Sequence, residues 1–548
     1  MKGRESVTAV LGRTTALNCS QTNLFSWPDP LIPAPQPWVD EDDDVDYLQM
    51  ILNARVYDVA SETPLQPASK LSAKVGNIIY LKREDMQPIF SFKIRGSYNK
   101  MYHLSREEKK AGVICASAGN HAQGVALAAK KLGIRATIVM PKHAPEIKVD
   151  NVRRLGAEVV LYGADFDEAK KECARLKAER NLIYVPPFDD PLVIAGQGTI
   201  GVEILRQIRQ DRLDAIFVCA GGGGMLAGIA TFVKRIRPEV KVIGVNAADS
   251  DSMFQSLHNG EPVEIPQAGL FADGTSVRLI GTECYRLCRS FVDDMVLVTN
   301  DEICAAIKDT FDDTRSIIEP AGALAVAGIK RFLAQNPQFK DAVFVGVVSG
   351  ANMNFDRLQF VAERARLGDG RERLLSIKIP ERPGSFLDLY SVIDPRPITE
   401  FSYRYSNFSA ARIYVAIEVA GRLDDVDEIL EKLQDKGMEG MDVTENEMAK
   451  THLRYLAGGR SSTVKDEVLY RFQFPERPGA LKKFLNHLEG KWNVSLFHYR
   501  NHGADIARVL VGLQVPEPEQ ADFNIFLEKL GYTFVDETEN PVYKEFLH

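Results

Sequence analysis

Ser91-Phe92-Lys93-Ile94-Arg95-Gly96 sets a lysine between a bulky apolar residue and a glycine, a short way downstream of Tyr80-Leu81-Lys82-Arg83-Glu84-Asp85. A lysine in such a run is either a solvated cation, since Lys is rarely buried without a partner, or a nucleophile of the kind that condenses with a carbonyl group. The second reading makes demands on the rest of the chain. It requires a cradle for an anion, a polar loop for a carboxylate, and a group to face an aromatic ring nitrogen.

Gly221-Gly222-Gly223-Gly224 joins an apolar run, Ala215 to Ala220, to a helical pattern beginning near Met225. Glycine geometry frees backbone N–H groups and a helix start adds its positive end, so this turn is either a phosphate site or a close-packing corner. No Gly-Lys-Ser/Thr follows, which excludes a P-loop, and contiguous glycines match GxGxxG poorly. Ser117-Ala118-Gly119-Asn120-His121-Ala122-Gln123-Gly124 follows a strand pattern ending near Ala116 and opens an alanine-rich helix. Its small residues permit close approach of a ligand and its first amides suit a carboxylate; an ordinary helix cap is the competing reading. Asn120 adds a neutral donor suited to a phenolic oxygen. Val348-Ser349-Gly350-Ala351-Asn352 places a small hydroxyl at a strand end. A hydroxyl facing a pyridine nitrogen leaves it largely unprotonated, which favours elimination over deep carbanion chemistry.

The elements that must position these residues form a long chain. Its 548 residues allow three or four units at roughly 150 residues each, or one large domain with smaller modules. Hydrophobic content of 45% with 26% charged residues permits a sizeable buried core. A net charge of -8 argues against nucleic acid as the main partner. Cys19, Cys115, Cys173, Cys219, Cys284, Cys288 and Cys304 are odd in number and contain no CxxC pair, which implies reduced thiols. Cys284 and Cys288 share a helix face without a nearby histidine pair and read as core packing, with no metal site implied. Ala215 to Val233 carries no charge over nearly the length of a membrane span, but four glycines divide it into a strand and a helix; no membrane partner is expected.

Met1 to Trp27 is basic with Glu5 its only acid and has no long apolar stretch, the pattern of an organelle transit segment or of a disordered tail. Pro28 to Pro37 is proline-dense and Asp40 to Asp46 almost wholly acidic, and both read as solvated linker, so that residues 1–46 lie outside any core. From 47 to 366 short β-branched runs alternate with helical ones. Strands are expected at Val113–Ala116, Ala136–Met140, Glu158–Tyr162, Ile183–Val185, Ala215–Ala220, Val240–Val245, Met295–Val298 and Val343–Val348. Helices are expected at Pro145–Leu155, Asp167–Glu179, Val193–Ile208, Met225–Arg235, Asp301–Asp312 and Pro320–Leu333. The alternation predicts an α/β domain with a largely parallel sheet covered on both faces and ligands beyond the carboxyl ends of its strands.

After a polar hinge at Gly368-Asp369-Gly370-Arg371, Ile379-Pro380-Glu381-Arg382-Pro383-Gly384-Ser385-Phe386 returns as Phe474-Pro475-Glu476-Arg477-Pro478-Gly479-Ala480-Leu481. Phe401-Ser402-Tyr403-Arg404 likewise returns as Phe497-His498-Tyr499-Arg500. Two blocks repeating at nearly one spacing predict a duplicated strand–turn–helix–strand module over 372–462 and 466–548. Each copy is near the lower size limit for independent folding, so the two are expected to pack together.

Taken together, Ser91 to Gly96, Ser117 to Gly124, Gly221 to Gly224 and Ser349 to Asn354 closely resemble the pyridoxal-phosphate enzymes of the tryptophan-synthase-β type (fold type II), and the doubled tail resembles the ACT-like regulatory modules of biosynthetic threonine dehydratases. The resemblance implies pyridoxal 5'-phosphate as cofactor, an imine to Lys93, Asn120 on the phenolic oxygen, Gly221 to Gly224 and Met225 on the phosphate, and Ser349 at the ring nitrogen. It implies that Ser117, Ala118, Gly119, Asn120 and His121 receive the substrate, that Glu319 lies near the ring or serves as a helix-start carboxylate, and that the cofactor phosphate protonates the leaving hydroxide. The implied reaction converts L-threonine (or L-serine) to a 2-oxo acid and ammonia, in a homotetramer inhibited by isoleucine and opposed by valine, in a mitochondrion or else a plastid or the cytoplasm. Arg404 and Arg500 occupy matching places and either bind an effector carboxylate or are surface arginines. Serine racemases have a second serine where this chain has Ala118, so racemisation is expected to be weak. Asn246 stands where related dehydratases usually carry Glu, and Gly274-Thr275-Ser276 departs from the usual apolar continuation. A β-replacement synthase and a catalytically lapsed sensor are the competing functions; the doubled tail disfavours the first and the presence of Lys93, Asn120 and Ser349 the second.

Overall fold

Ten strands in chain order, β1 (Leu65–Pro67), β2 (Ile78–Arg83), β3 (Val113–Ala116), β4 (Ala136–Met140), β5 (Glu158–Leu161), β6 (Ile183–Tyr184), β7 (Ala215–Cys219), β8 (Lys241–Ala247), β9 (Asp294–Val298) and β10 (Val343–Val348), build the part of the molecule that precedes the repeat. They are seen in a computed structural model that describes residues 27–36, 45–210, 212–380, 385–404, 410–419, 424–453, 464–475, 480–488, 491–500 and 506–547. The basic segment 1–26, Cys19, most of the acidic run and the two Pro-Gly turns lie outside the described residues.

Every position of β3, β4, β7 and β10 is buried, because helices cover both faces and leave no solvated side to alternate with. The expected strands and helices form within a residue or two of their expected ends. A single sheet was expected, whereas the strands divide into two: β5-β4-β3-β6, wholly parallel, and β1-β2-β10-β7-β8-β9, parallel except for β1. Apolar periodicity marks strands without saying which of them pair. The uncharged run splits at its glycines as expected, into β7 and the helix Gly224–Ile236. Among the described residues no helix is long and apolar enough to cross a membrane.

The proline-dense stretch is not solvated linker where it is described. Ile32 is 4% exposed, the Trp27 ring lies 5.0 Å from that of Phe339, and Leu31 N donates to Asp294 at 2.8 Å. Two apolar anchors in a polar, proline-rich context are enough to fasten it to the core.

The tail holds β11 (Glu372–Pro380), β12 (Ile398–Arg404), β13 (Ala410–Glu418), β14 (Glu439–Asp442), β15 (Glu467–Pro475), β16 (Asn493–Arg500), β17 (Ile506–Gln514) and β18 (Thr533–Asp536). They make two antiparallel sheets of identical order, β12-β13-β11-β14 and β16-β17-β15-β18, with a register shift at the corresponding place in each, Ile398/Glu400 and Val494/Leu496. Each sheet has its own apolar core on its helix-bearing side. Leu374, Tyr414 and Met448 of one copy share a further core with Leu469, Leu510 and Tyr543 of the other. The two copies bury against each other the faces that neither fills alone.

Candidate active site

Lys93 opens the helix Lys93–Tyr102 and is brought to the end of β10 by the backbone. Ser91 bridges Gly350, Phe92 N donates to Ser349 O at 3.2 Å, and Ala351 N donates to Phe90 O at 2.9 Å. Phe90 takes a left-handed φ of 56° at this crossing, a conformation that a bulky residue holds only where its surroundings enforce it. The Lys93 Nζ donates to Pro187 O at 2.8 Å, and burial lowers its pKa to about 8. An amine whose charged form burial disfavours, even with the Glu319 charge acting the other way, is a far better nucleophile near neutrality than an exposed lysine.

The tetraglycine turn after β7 has no room for side chains. A Cβ at Gly222 would sit 2.3 Å from the Phe188 ring, one at Gly223 2.6 Å from Met253 Cε, and one at Gly221 3.0 Å from Thr275 Cα. Gly223 has a φ of 100° and stands at the head of the helix Gly224–Ile236 without any side-chain cap, and Met225 is buried in its first turn. The uncapped amides and the glycine backbone fit a phosphate monoester.

The loop after β3 has the same property. Gly119 precedes the helix Asn120–Leu132 with no side-chain cap, and Ser117 Oγ accepts from Gly119 N at 3.2 Å, so an ordinary cap is not what this sequence makes. The His121 ring is committed to the core, with Nε2 2.8 Å from Val185 O and Nδ1 3.4 Å from Ser97 Oγ. Burial, with the Lys93 charge adding to it, pushes its pKa down to about 3, so it is neutral. Ala118 is half-buried in the same loop.

Asn120 reaches across to two segments far away in sequence. Its Nδ2 donates to Glu319 Oε1 at 2.7 Å and its Oδ1 accepts from Asn352 Nδ2 at 2.7 Å, while Asn352 N donates to Glu319 Oε2 at 3.1 Å. Glu319 precedes the helix Pro320–Gln335 but makes no capping bond, so the helix-start role expected for it gives way to this triangle. Burial, reinforced by the Asp273 charge, raises its pKa to about 7. Asp273 is in turn held by Lys148 at 3.1 Å, on the helix Glu146–Arg154 between β4 and β5. Ser349 and Cys219, which ends β7, are both buried.

Lys93, Ser349, Asn120 and the glycine turn thus converge at the carboxyl ends of β3, β7 and β10. Arg404 and Arg500 do not join them: they end β12 and β16, opposite Arg412 and Arg508, and their side chains lie outside the described residues. Asn352, Asp273, Lys148 and Cys219 were given no role at the site from the sequence: three of them adjoin motifs singled out there, but only the fold brings them and Lys148 together. Asn246 donates to Ala220 O at 2.7 Å and Ser250 O at 3.1 Å, two bonds that a carboxylate could not make. Thr275 lies against Gly221, so both Asn246 and Thr275 shape the loops flanking the glycine turn.

Residues 56–350 match the family model of pyridoxal-phosphate dependent enzymes, and residues 363–453 and 458–547 match that of the C-terminal regulatory domain of threonine dehydratase. The chain is 56% identical over 503 residues, 92% of its own length and 84% of the relative's, to the mitochondrial threonine dehydratase of Schizosaccharomyces pombe. It is 49% identical over 506 residues, again 92% and 84% of the two lengths, to the biosynthetic chloroplastic threonine dehydratase of Arabidopsis thaliana. Among solved structures, the processed form of threonine deaminase isoform 2 from Solanum lycopersicum matches with a TM-score of 0.60 and 50% identity, covering 62% of this chain and 92% of that one. The first match spans Lys93 and the glycine turn, and the second covers the doubled tail in two stretches: the chain belongs to the threonine dehydratases, pyridoxal-phosphate-dependent lyases with a duplicated C-terminal regulatory domain.

Proposed function

We propose that this chain converts L-threonine to 2-oxobutanoate and ammonia, and L-serine to pyruvate and ammonia, as the first committed step of isoleucine synthesis, with isoleucine as feedback inhibitor through the tail and valine opposing it. The observation that carries the reading is the Lys93 Nζ, buried, with its pKa lowered to about 8, beside an uncapped glycine cradle.

Pyridoxal phosphate supplies, when bound, an aldehyde that condenses with amines and a ring that takes up charge as the Cα proton leaves. Gly221 to Gly224 with Met225 hold its phosphate, Asn120 its phenolic oxygen, and Ser349 meets its ring nitrogen with a neutral hydroxyl. Ser117, Ala118 and Gly119, together with the main chain of Asn120 and His121, receive the substrate carboxylate at the uncapped helix start. Lys93 takes the proton from Cα, on one face of the substrate. Ala118 offers no second acid on the other face, which favours elimination over racemisation.

The name of the Schizosaccharomyces pombe relative and the basic composition of residues 1–26 support a mitochondrial location. A homotetramer is the proposed assembly. The test is 2-oxobutanoate formation from L-threonine by the wild type and by Lys93→Ala, each with and without isoleucine. Turnover by the wild type alone, suppressed by isoleucine, is the expected result; appreciable turnover by Lys93→Ala would overturn the assignment.

A further inference from the structure

The two tail modules exchange one arginine each. Arg412 on β13 of the first copy pairs with Glu545 at 2.8 Å, and Glu545 belongs to the helix Pro541–Phe546 that ends the second copy. Arg508 on β17 of the second copy pairs with Glu447 at 3.1 Å, on the helix Glu447–Thr451 that ends the first. The two arginines hold the same place in the repeat: Arg412 faces Arg404 across the sheet as Arg508 faces Arg500.

The symmetry stops at the glutamates. The other oxygen of Glu545 accepts from Ser376, within the tail. Glu447 instead accepts from Arg364 at 2.6 Å and pairs with Lys450 at 2.9 Å, and Arg364 and Lys450 both grip Asp301 of the catalytic domain, Lys450 at 2.8 Å. The Phe360 ring lies 5.4 Å from the Arg364 guanidinium and 5.8 Å from that of Arg508. Arg364 and Lys450 have side chains only 3% and 4% exposed, so water screens their grip on Asp301 weakly, whereas Glu447 at 36% and Arg508 at 25% meet each other nearer the surface. From Asp301 the connection continues through rigid elements. Glu302, next on the same helix Asn300–Thr314, pairs with Arg331 at 2.9 Å on the helix that begins beside Glu319 of the active site.

We propose that Glu447 is where the state of the tail is passed to the catalytic domain, by way of Arg508 on one side and Arg364, Lys450 and Asp301 on the other, and that the mirror pair Arg412–Glu545 only holds the modules together. The proposal rests on the feedback reading above and names its route. An effector changes activity only by binding two arrangements of the protein unequally. Any arrangement that moves the second module against the first changes the Arg508–Glu447 contact, and Glu447 cannot follow Arg508 without leaving the cations that tie it to Asp301. Among the described residues Glu545 pairs with Arg412 and Ser376, both within the tail.

The experiment uses the full-length holoenzyme, with isoleucine inhibition of threonine turnover measured in the wild type, Glu447→Gln, Arg508→Gln, Arg412→Gln and Glu545→Gln, and isoleucine binding measured by calorimetry. The half-inhibiting isoleucine concentration is expected to rise at least tenfold in the first pair and to stay within threefold in the mirror pair, with uninhibited turnover preserved and isoleucine still bound by Glu447→Gln. Arg364→Lys, which keeps the charge but loses the planar fork, gives the same answer should a Gln variant fail to fold. Equal shifts in both pairs, no shift in either, or loss of isoleucine binding in Glu447→Gln would each overturn the route while leaving feedback inhibition intact. A wild type indifferent to isoleucine would overturn the feedback reading itself and the route with it.

Discussion

Asn120 donates to Glu319 at 2.7 Å, closing a contact between residues 199 positions apart and tying the loop of one parallel sheet to a helix start over the other. Two donors, Asn120 Nδ2 and Asn352 N, aim at the two oxygens of Glu319, so the triangle is complete when the carboxyl is ionised. With a pKa of about 7, that form dominates above neutrality. Threonine turnover is therefore expected to rise through an ionisation near pH 7, and Glu319→Gln is expected to lose that step and about tenfold in kcat/KM. A pH profile of both proteins checks this; an unchanged step near 7 in the variant would assign it to another group.

Lys93 makes a second pH dependence measurable before any turnover. Burial lowers its pKa to about 8, so the free amine appears more than two units earlier than in an ordinary lysine. Uptake of pyridoxal phosphate by cofactor-free protein, followed by its visible absorbance, is expected to accelerate with pH with a midpoint near 8. Between about 8 and the ordinary lysine value near 10.5 the unfolded chain binds the extra proton, so this group makes cofactor-free protein more stable as pH rises through that window. Urea midpoints across the window test the sign.

Gly223 combines a left-handed φ of 100° with crowding on its Cβ side. Gly223→Ala is expected to weaken pyridoxal-phosphate affinity by about tenfold or more, from about 1–3 kcal/mol of backbone strain in the cradle. Equilibrium dialysis of the cofactor reads the change directly.

The catalytic helix is anchored by charges that never meet water. Arg95, two residues after Lys93, pairs with Glu84 at 2.7 Å and Glu203 at 2.6 Å, and Lys82 reaches Glu203 at 2.5 Å. All four side chains are fully buried. Glu203→Gln leaves two buried cations short of one counter-charge and is expected to cost about 3–5 kcal/mol of folding stability, read as a lower denaturant midpoint. Glu62→Gln, whose salt bridge to Arg206 is exposed, serves as a control expected to cost about 0–1 kcal/mol.

That anchor also shows where reading the sequence stops. β3, β4, β7 and β10 are apolar at every position and were legible as strands, and the glycine turn and serine loop announced themselves by composition. β2 was missed because its Lys82 and Arg83 look like solvent-facing charges; both are buried ion-pair partners, Lys82 of the distant Glu203 and Arg83 of Asp85 two residues on. The Asn120–Glu319–Asn352 triangle joins three segments that only the fold brings together. For the same reason, the repeat was visible in its Pro-Gly blocks but the crossing of Arg412 and Arg508 between copies was not.

Borohydride reduction of the holoenzyme followed by peptide mapping tests the central claim most directly. The account predicts one pyridoxyl label, on Lys93, with loss of threonine turnover in proportion to labelling. A label on any other lysine, or none, would contradict it.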